Sequence, residues 1–148
     1  MLAPLRILEV SIPHASSTGT FCDAMYLPER LARDGFNTVY VLPWIKVNRA
    51  LSHSPYAVVH HLEVNEMLGT LSDAVAWIKR CHEAGLQVIL DLPLNHTSPE
   101  HSWTAHSDWY SKTDLGAMHP PPGSGWNDVV QLNHSHEEVK TACIEVMS

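Results

Sequence analysis

The sequence has few basic residues, three cysteines and no long apolar run, and each shortage excludes a class of protein. Nine lysine and arginine residues against sixteen acidic ones leave a formal charge of -7. This charge disfavours nucleic acid and anionic membranes as partners, because both favour clustered positive charge. No stretch approaches the roughly 18 apolar residues of a membrane span. The first residues also lack the basic segment and apolar stretch of a secretory signal, so we expect a cytoplasmic protein, unless a leader precedes this chain.

Metal and nucleotide chemistry find little support in the sequence. Cys22, Cys81 and Cys143 are odd in number, far apart and without a CxxC pair, so we expect buried small residues rather than a zinc site or disulfides. The eleven histidines include no helical pair around a glutamate that would predict a zinc protease. No Gly-rich phosphate-binding loop follows a predicted strand, which argues against a nucleotide-binding domain.

The apolar pattern alternates between strands and helices. Strands are predicted over residues 6–12, 38–42 and 86–92, the last nearly continuous in apolar residues and therefore expected to be buried on both faces. Helical spacing follows the first strand, where Pro28 predicts a kink or a late first turn and Gly35 a helix end. This alternation predicts parallel strands joined by helices. The 148 residues are enough for one globular domain but fewer than the roughly 250 of a complete (β/α)8 barrel.

Two helix starts and two long loops complete the prediction. Thr70 with Asp73, and Ser135 with Glu138, have the spacing of capping boxes. The first of these helices is expected to bury Val75, Ile78 and Cys81 or His82, and the second to bury Val139, Ala142, Cys143 and Val146. Loops are predicted over residues 44–68 and about 93–133, the second containing three consecutive prolines. The last helix is still running at Ser148, which we interpret as a truncation.

Polar and aromatic candidates gather after the predicted strands, where parallel α/β sheets bind ligands. Asp91 ends the third strand, Asn95 and His96 follow it, and Tyr56 lies in the loop after the second strand. A carboxylate, an amide, an imidazole and an aromatic ring suit a sugar, whose hydroxyls both donate and accept hydrogen bonds and whose apolar face stacks on rings. Each residue also has a structural interpretation: Asp91 as a turn cap, His96 as a loop histidine and Tyr56 as a packing residue. The tryptophans of the second loop are either a sugar platform or loop anchors: Trp103, Trp109 and Trp126.

Three blocks of sequence resemble the α-amylase family, glycoside hydrolase family 13. Residues 54–58 (Ser-Pro-Tyr-Ala-Val), with residues 63–65 and 68–70 after them, are similar to that family's second βα region. Residues 88–98 contain the Asp-x-x-x-Asn-His pattern of its first signature, and residues 126–133 resemble the segment that leaves its small inserted domain. The blocks have the family's order and spacing and cover nearly the whole chain. The resemblance implies an incomplete (β/α)8 TIM barrel, one partial catalytic domain over residues 1–148 with about three βα units and a long loop at 93–133.

The resemblance also implies roles for individual residues. Tyr56 would stack on a glucose ring, His96 would hydrogen-bond the same sugar, and Asp91 would organise the floor of the site. Asn95 corresponds to a calcium ligand in calcium-dependent members. Gln131, however, stands where such members often carry Asp, so we expect no cofactor. His60-His61 replaces an Asp-Tyr pair of the relatives.

The family's nucleophile Asp, acid/base Glu and third Asp would lie beyond Ser148, so we expect no catalytic residue in this chain. Retaining chemistry needs two carboxyl groups about 5–5.5 Å apart, and Asp91 has no expected partner. The chain is therefore interpreted as the N-terminal part of a retaining α-glucan-acting glycosidase or glucanosyltransferase, inactive in isolation. The alternative is a non-catalytic α-glucan-binding or regulatory remnant that needs a partner or self-assembly. Open sheet edges predict self-association.

Overall fold

The computed structural model describes residues 4–48, 50 and 52–148. The first three residues, used above in predicting no secretory signal, and Arg49 and Leu51 of the predicted loop 44–68 lie outside this description. The described helices are α1 (Ile12–Ala15), α2 (Leu27–Arg33), α3 (Leu71–Glu83) and α4 (Glu137–Met147). The described strands are β1 (Ile7–Val10), β2 (Thr38–Val41), β3 (Ile45–Val47), β4 (Val58–Val64), β5 (Gln87–Leu90), β6 (His96–Thr97) and β7 (Val130–Gln131).

The chain forms two compact units. The first unit comprises Met1–Trp44 and Val64–Leu92, and the second comprises Ile45–Glu63 and Pro93–Ser148.

The first unit contains a three-stranded parallel sheet in the order β1-β2-β5. Leu8, Val39 and Val88 lie side by side in its register and pack into one apolar core. Trp77 of α3 is the largest fully buried side chain of that core, and its indole N–H donates to the Ala24 carbonyl at 3.1 Å. The predicted alternation of parallel strands and helices is confirmed here.

Proline and glycine set the ends of α2. Pro28 lies in its first turn, where a missing N–H costs nothing, so the late-first-turn alternative is correct and there is no kink from an interior proline. The helix ends at Arg33, and Gly35 follows with a φ of +90°, a conformation that glycine adopts without a side-chain clash.

Helix α3 begins with the predicted capping box. The Thr70 hydroxyl accepts from the Asp73 N–H at 3.2 Å, while the Asp73 carboxylate accepts from the Thr70 N–H at 2.8 Å. The predicted apolar face was partly wrong, because Val75 is 56% exposed and the buried side chains are those of Ala74, Trp77 and Cys81. Trp77 is fully buried where Val75 is not, and its larger side chain buries more apolar surface than a valine would.

Strand β5 corrects another expectation. It was predicted to be buried on both faces, but Ile89 is 40% and Leu90 44% exposed. Among the described strands β5 pairs only with β2, so it is an edge strand. An edge strand lacks neighbours on one side, which leaves its apolar side chains accessible.

The second unit has structure where loops were predicted. Strands β3 and β4 pair within the predicted loop 44–68, and β6 and β7 pair antiparallel at the two ends of the predicted loop 93–133. A second apolar core contains Tyr110, Val130, Leu132, Val139 and Cys143. The loop predictions failed at these places because short strands carry too few residues for a visible period.

Helix α4 confirms the predicted buried stripe at Val139, Ala142 and Cys143, whereas Val146 is only partly buried. The predicted capping box is absent. His136 precedes the helix without a side-chain cap, and the Ser135 hydroxyl donates instead to the Asn133 side chain at 2.7 Å. The cysteine expectation holds for the buried Cys81 and Cys143 and is wrong for Cys22, which is exposed.

Candidate functional site

The second unit contains a partly open cavity of about 500 Å³. Rings, hydroxyls and one carboxylate line it: Ser54, Tyr56, His96, Trp126, Asp128 and Val129. This volume lies within the range of small-molecule sites, and an aromatic lining with a few polar groups is typical of them. The lining contains an acid and no lysine or arginine, so the cavity favours neutral or cationic groups.

Local backbone structure places each side chain at the cavity. Tyr56 lies just before β4, where its N–H donates to the Ser54 hydroxyl at 3.2 Å. His96 lies on β6 opposite Gln131 of β7. Trp126 and Asp128 belong to the segment that enters β7, so the antiparallel pairing of two short strands brings residues 30 positions apart to one cavity.

His96 is the least satisfied polar side chain of the site. It is only 6% exposed, and its Nε2 atom is buried without a hydrogen-bond partner among the described residues. Its Nδ1 lies 3.3 Å from the Asn95 amide nitrogen, which is a donor, so Nδ1 accepts and the proton resides on Nε2. A buried Nε2–H without a partner is a donor available to a ligand oxygen.

Burial sets the protonation state of His96. It lowers the pKa of this imidazole, against the opposing effects of the Asp128 charge and of the Tyr56 backbone, which raise it. The imidazole is therefore neutral near pH 7. Its ring meets the Trp126 ring edge to face, with 5.5 Å between the centroids and an interplanar angle of 63°.

Of the residues expected from the sequence, Tyr56 and His96 meet in this cavity. Asp91 belongs to the first unit, where it directly follows β5 and its N–H donates to the Val41 carbonyl at 2.9 Å. In that unit the Tyr40 hydroxyl hydrogen-bonds the Asp91 carboxylate, and burial together with this carboxylate raises the pKa of Tyr40.

Trp126 was already a candidate for a sugar platform, whereas Ser54 and Asp128 were missed as site residues. Both lie within sequence blocks that resemble the α-amylase family, so the sequence did point to these segments. The motifs that identify the family assign no role to Ser54 or Asp128 themselves. Trp103 and Trp109 pack instead against the core of the second unit.

The surroundings of Asn95 bear on the calcium question. The Asn95 and Gln131 side chains hydrogen-bond each other in both directions, at 3.2 and 3.0 Å. Calcium sites usually include carboxylates, and a pair of mutually satisfied amides does not fit that ion. Within residues 4–48, 50 and 52–148, no cluster of three or more His, Cys, Asp or Glu side chains is arranged to hold a metal.

In the same residues no helix is long and apolar enough to cross a bilayer.

The departure at His60-His61 produces a second polar cluster in the second unit. His61 is 5% and His101 3% exposed, and the two rings lie 4.9 Å apart beside the Trp103 ring. A smaller cavity of about 170 Å³ adjoins them and is also lined by His60 and Glu145. Both buried rings form hydrogen bonds with other protein atoms, so we interpret this cluster as structural and not as a ligand site.

The comparisons with known proteins agree with this fold. Residues 30–126 match the family model described as "Alpha amylase, catalytic domain". The α-1,4-glucan:maltose-1-phosphate maltosyltransferase of Mycolicibacterium smegmatis is 32% identical over 140 residues, covering 80% of this chain and 20% of that protein. The α-glucosidase of Candida albicans is 34% identical over 117 residues, covering 65% of this chain and 20% of that protein.

Among solved structures, an α-amylase from Lactobacillus plantarum superposes with a TM-score of 0.88 and 29% identity. The match covers 95% of this chain and 34% of that one. The fold and the family match together define the class: the chain belongs to the α-amylase family of glycoside hydrolases, whose catalytic domains are TIM barrels. It spans about a fifth of the length of the curated relatives it matches.

Proposed function

We propose that the chain is part of a retaining α-glucan-acting glycosidase or glucanosyltransferase and that its cavity binds one glucosyl ring. The observation that carries this proposal is the buried, unpartnered Nε2–H of His96 beside the Tyr56 ring. A ring for the apolar face of a pyranose and a donor for one of its oxygens are the two groups that sugar binding needs. The names of the maltosyltransferase and α-glucosidase relatives support an α-glucan ligand.

In this proposal the chain supplies the first three βα units of a (β/α)8 barrel. The parallel order β1-β2-β5 and the match to about a third of a solved α-amylase support that extent. The chain's own residues then bind and orient the sugar: Tyr56 stacks on it and His96 donates to it. The nucleophile, the acid/base and the third acid come from outside these 148 residues, so the isolated chain is inactive.

Sugar binding can be tested by titrating the ¹⁵N-labelled chain with maltotriose and following amide and indole shifts. We expect saturable shifts around Tyr56, His96 and Trp126. The substitutions Tyr56→Ala and His96→Gln should weaken binding by about ten-fold or more, since each removes a direct ligand contact. Tyr26→Ala and His53→Gln are matched controls in exposed positions and should leave the affinity unchanged.

Sugar binding and the inactivity of the isolated chain can be tested separately. Absence of shifts at millimolar maltotriose would refute sugar binding and with it the alternative of a non-catalytic sugar-binding remnant. Release of p-nitrophenol from p-nitrophenyl α-glucoside by the isolated chain would refute the proposed inactivity while leaving sugar binding intact.

A further inference from the structure

Asp128 is a cavity residue whose orientation is fixed by a short relay of hydrogen bonds. The Ser54 N–H donates to the Ser52 hydroxyl at 2.9 Å, and that hydroxyl donates in turn to Asp128 Oδ2. Ser52 is 8% exposed, so the relay is shielded from water. One carboxylate oxygen is thereby occupied, and the side chain is held in place before any ligand arrives.

The second carboxylate oxygen has different surroundings. Ser52 occupies Oδ2, which leaves Oδ1 as the carboxylate oxygen that can face a ligand in the cavity. The negative charge is nevertheless felt across the site, since it acts on the His96 imidazole. The cavity therefore combines a neutral N–H donor on His96 with a charged acceptor on Asp128.

This pairing matches one kind of ligand group. A hydroxyl both donates and accepts, so neighbouring hydroxyls of a sugar can accept from His96 and donate to Asp128. A phosphate dianion has only acceptor oxygens and carries negative charge, so the carboxylate repels it, and this lining offers no lysine or arginine to compensate.

We propose that Asp128 is a specificity-determining residue that accepts a sugar hydroxyl through Oδ1, so that the cavity takes a neutral ring and rejects a phosphorylated one. This inference rests on the proposed sugar-binding function and names the ligand class of the same cavity. A phosphate group of any sugar-phosphate substrate must then lie outside it.

The test compares two probes of the same ring, methyl α-D-glucopyranoside and α-D-glucose 1-phosphate. Binding is followed by the indole N–H shift of Trp126 in the 148-residue chain. We expect the wild type to bind the methyl glucoside about ten-fold or more tightly than the phosphate. In Asp128→Asn this preference should fall to about two-fold or less, because the amide keeps an oxygen for Ser52 but carries no charge.

Asp108→Asn is the matched control. Asp108 is exposed in the same unit, so the substitution changes the net charge equally while the preference should stay at the wild-type value. Folding of each variant is checked by its amide spectrum. As a second measurement on the wild type alone, raising sodium chloride from about 0.01 M to about 1 M shortens the Debye length from about 30 Å to about 3 Å. The preference should shrink accordingly.

The possible results separate the two proposals. If the wild type binds neither probe, both the sugar-binding function and the role of Asp128 are overturned. If it binds the methyl glucoside but its preference is unaffected by Asp128→Asn, or by salt where that variant does not fold, only the role of Asp128 is overturned.

Discussion

His61 and His101 form a direct, buried hydrogen bond, with 3.0 Å between His61 Nδ1 and His101 Nε2. The remaining nitrogens define which atoms carry protons. His101 Nδ1 accepts from the Trp103 N–H at 3.1 Å, so its proton is on Nε2, and His61 Nε2 donates to the Pro93 carbonyl at 3.0 Å. Both imidazoles are therefore neutral, and a proton added to either one removes an acceptor from the chain of bonds.

This pair predicts that the second unit loses stability in acid. Burial, with a contribution from His61 and then His60, lowers the pKa of His101 to about 3 from its usual 6.5, and burial also lowers the pKa of His61. The unfolded state therefore binds more protons between these values, and the free energy of unfolding should decrease as the pH falls from about 6.5 towards about 3. Urea titrations at several pH values, followed by tryptophan fluorescence, measure it.

Replacing His101 alone isolates this effect. His101→Asn should lower stability at pH 7 and flatten the pH dependence, since the strongest shifted group is gone. The exposed His53→Asn should behave as wild type. Equal pH slopes for wild type and His101→Asn would show that the pair does not cause the acid sensitivity. His60 and Glu145, which line the adjoining cavity, are kept in both variants.

Trp77 should dominate the stability of the first unit. Its side chain is fully buried and its indole N–H is satisfied by Ala24. Trp77→Ala should cost about 3–5 kcal/mol of unfolding free energy, because it leaves a large cavity in the core. Val75→Ala on the same helix should cost less than about 0.5 kcal/mol, since Val75 is 56% exposed. Urea unfolding followed by circular dichroism provides both values, and equal losses would contradict this assignment of the core.

The capping box of α3 allows a smaller and more local prediction. Thr70→Ala removes the hydroxyl that accepts from the Asp73 N–H and should cost about 1 kcal/mol. Thr70→Ser retains the hydroxyl and should be close to wild type. The same chemical denaturation distinguishes them, and a neutral Thr70→Ala would mean that the cap contributes nothing to the folded state.

The exposed edge of the first unit's sheet should promote self-association of the isolated chain. Strand β5 presents the partly exposed Ile89 and Leu90 at an edge, and apolar edges pair with other chains. Ile89→Lys should shift the sedimentation profile towards the 16.5 kDa monomer. Leu115→Lys introduces the same charge at a residue that is 96% exposed in the second unit and should not. A wild-type chain that sediments as a clean monomer would contradict the prediction.

Much of the architecture follows from the sequence because its causes are local. The Thr70–Asp73 capping box needs residues only three apart, and the position of Pro28 in a first turn depends on its own ring. The alternation of apolar strands and helices predicts a parallel sheet, and the blocks around Tyr56 and His96 indicate the family. The exposure of Val75 and Ile89 could not be predicted, since a helix or strand pattern does not say which neighbours it meets.

The candidate site divides in the same way. The sequence alone identifies Tyr56 and His96 as candidate sugar-binding residues. Only the tertiary structure decided that the pairing of β6 with β7 brings Trp126 and Asp128 to His96 and leaves its Nε2 without a partner. It likewise decided that His61 meets His101, 40 residues away, because contacts across the chain depend on how strands pair and cores pack, and not on spacing along the sequence.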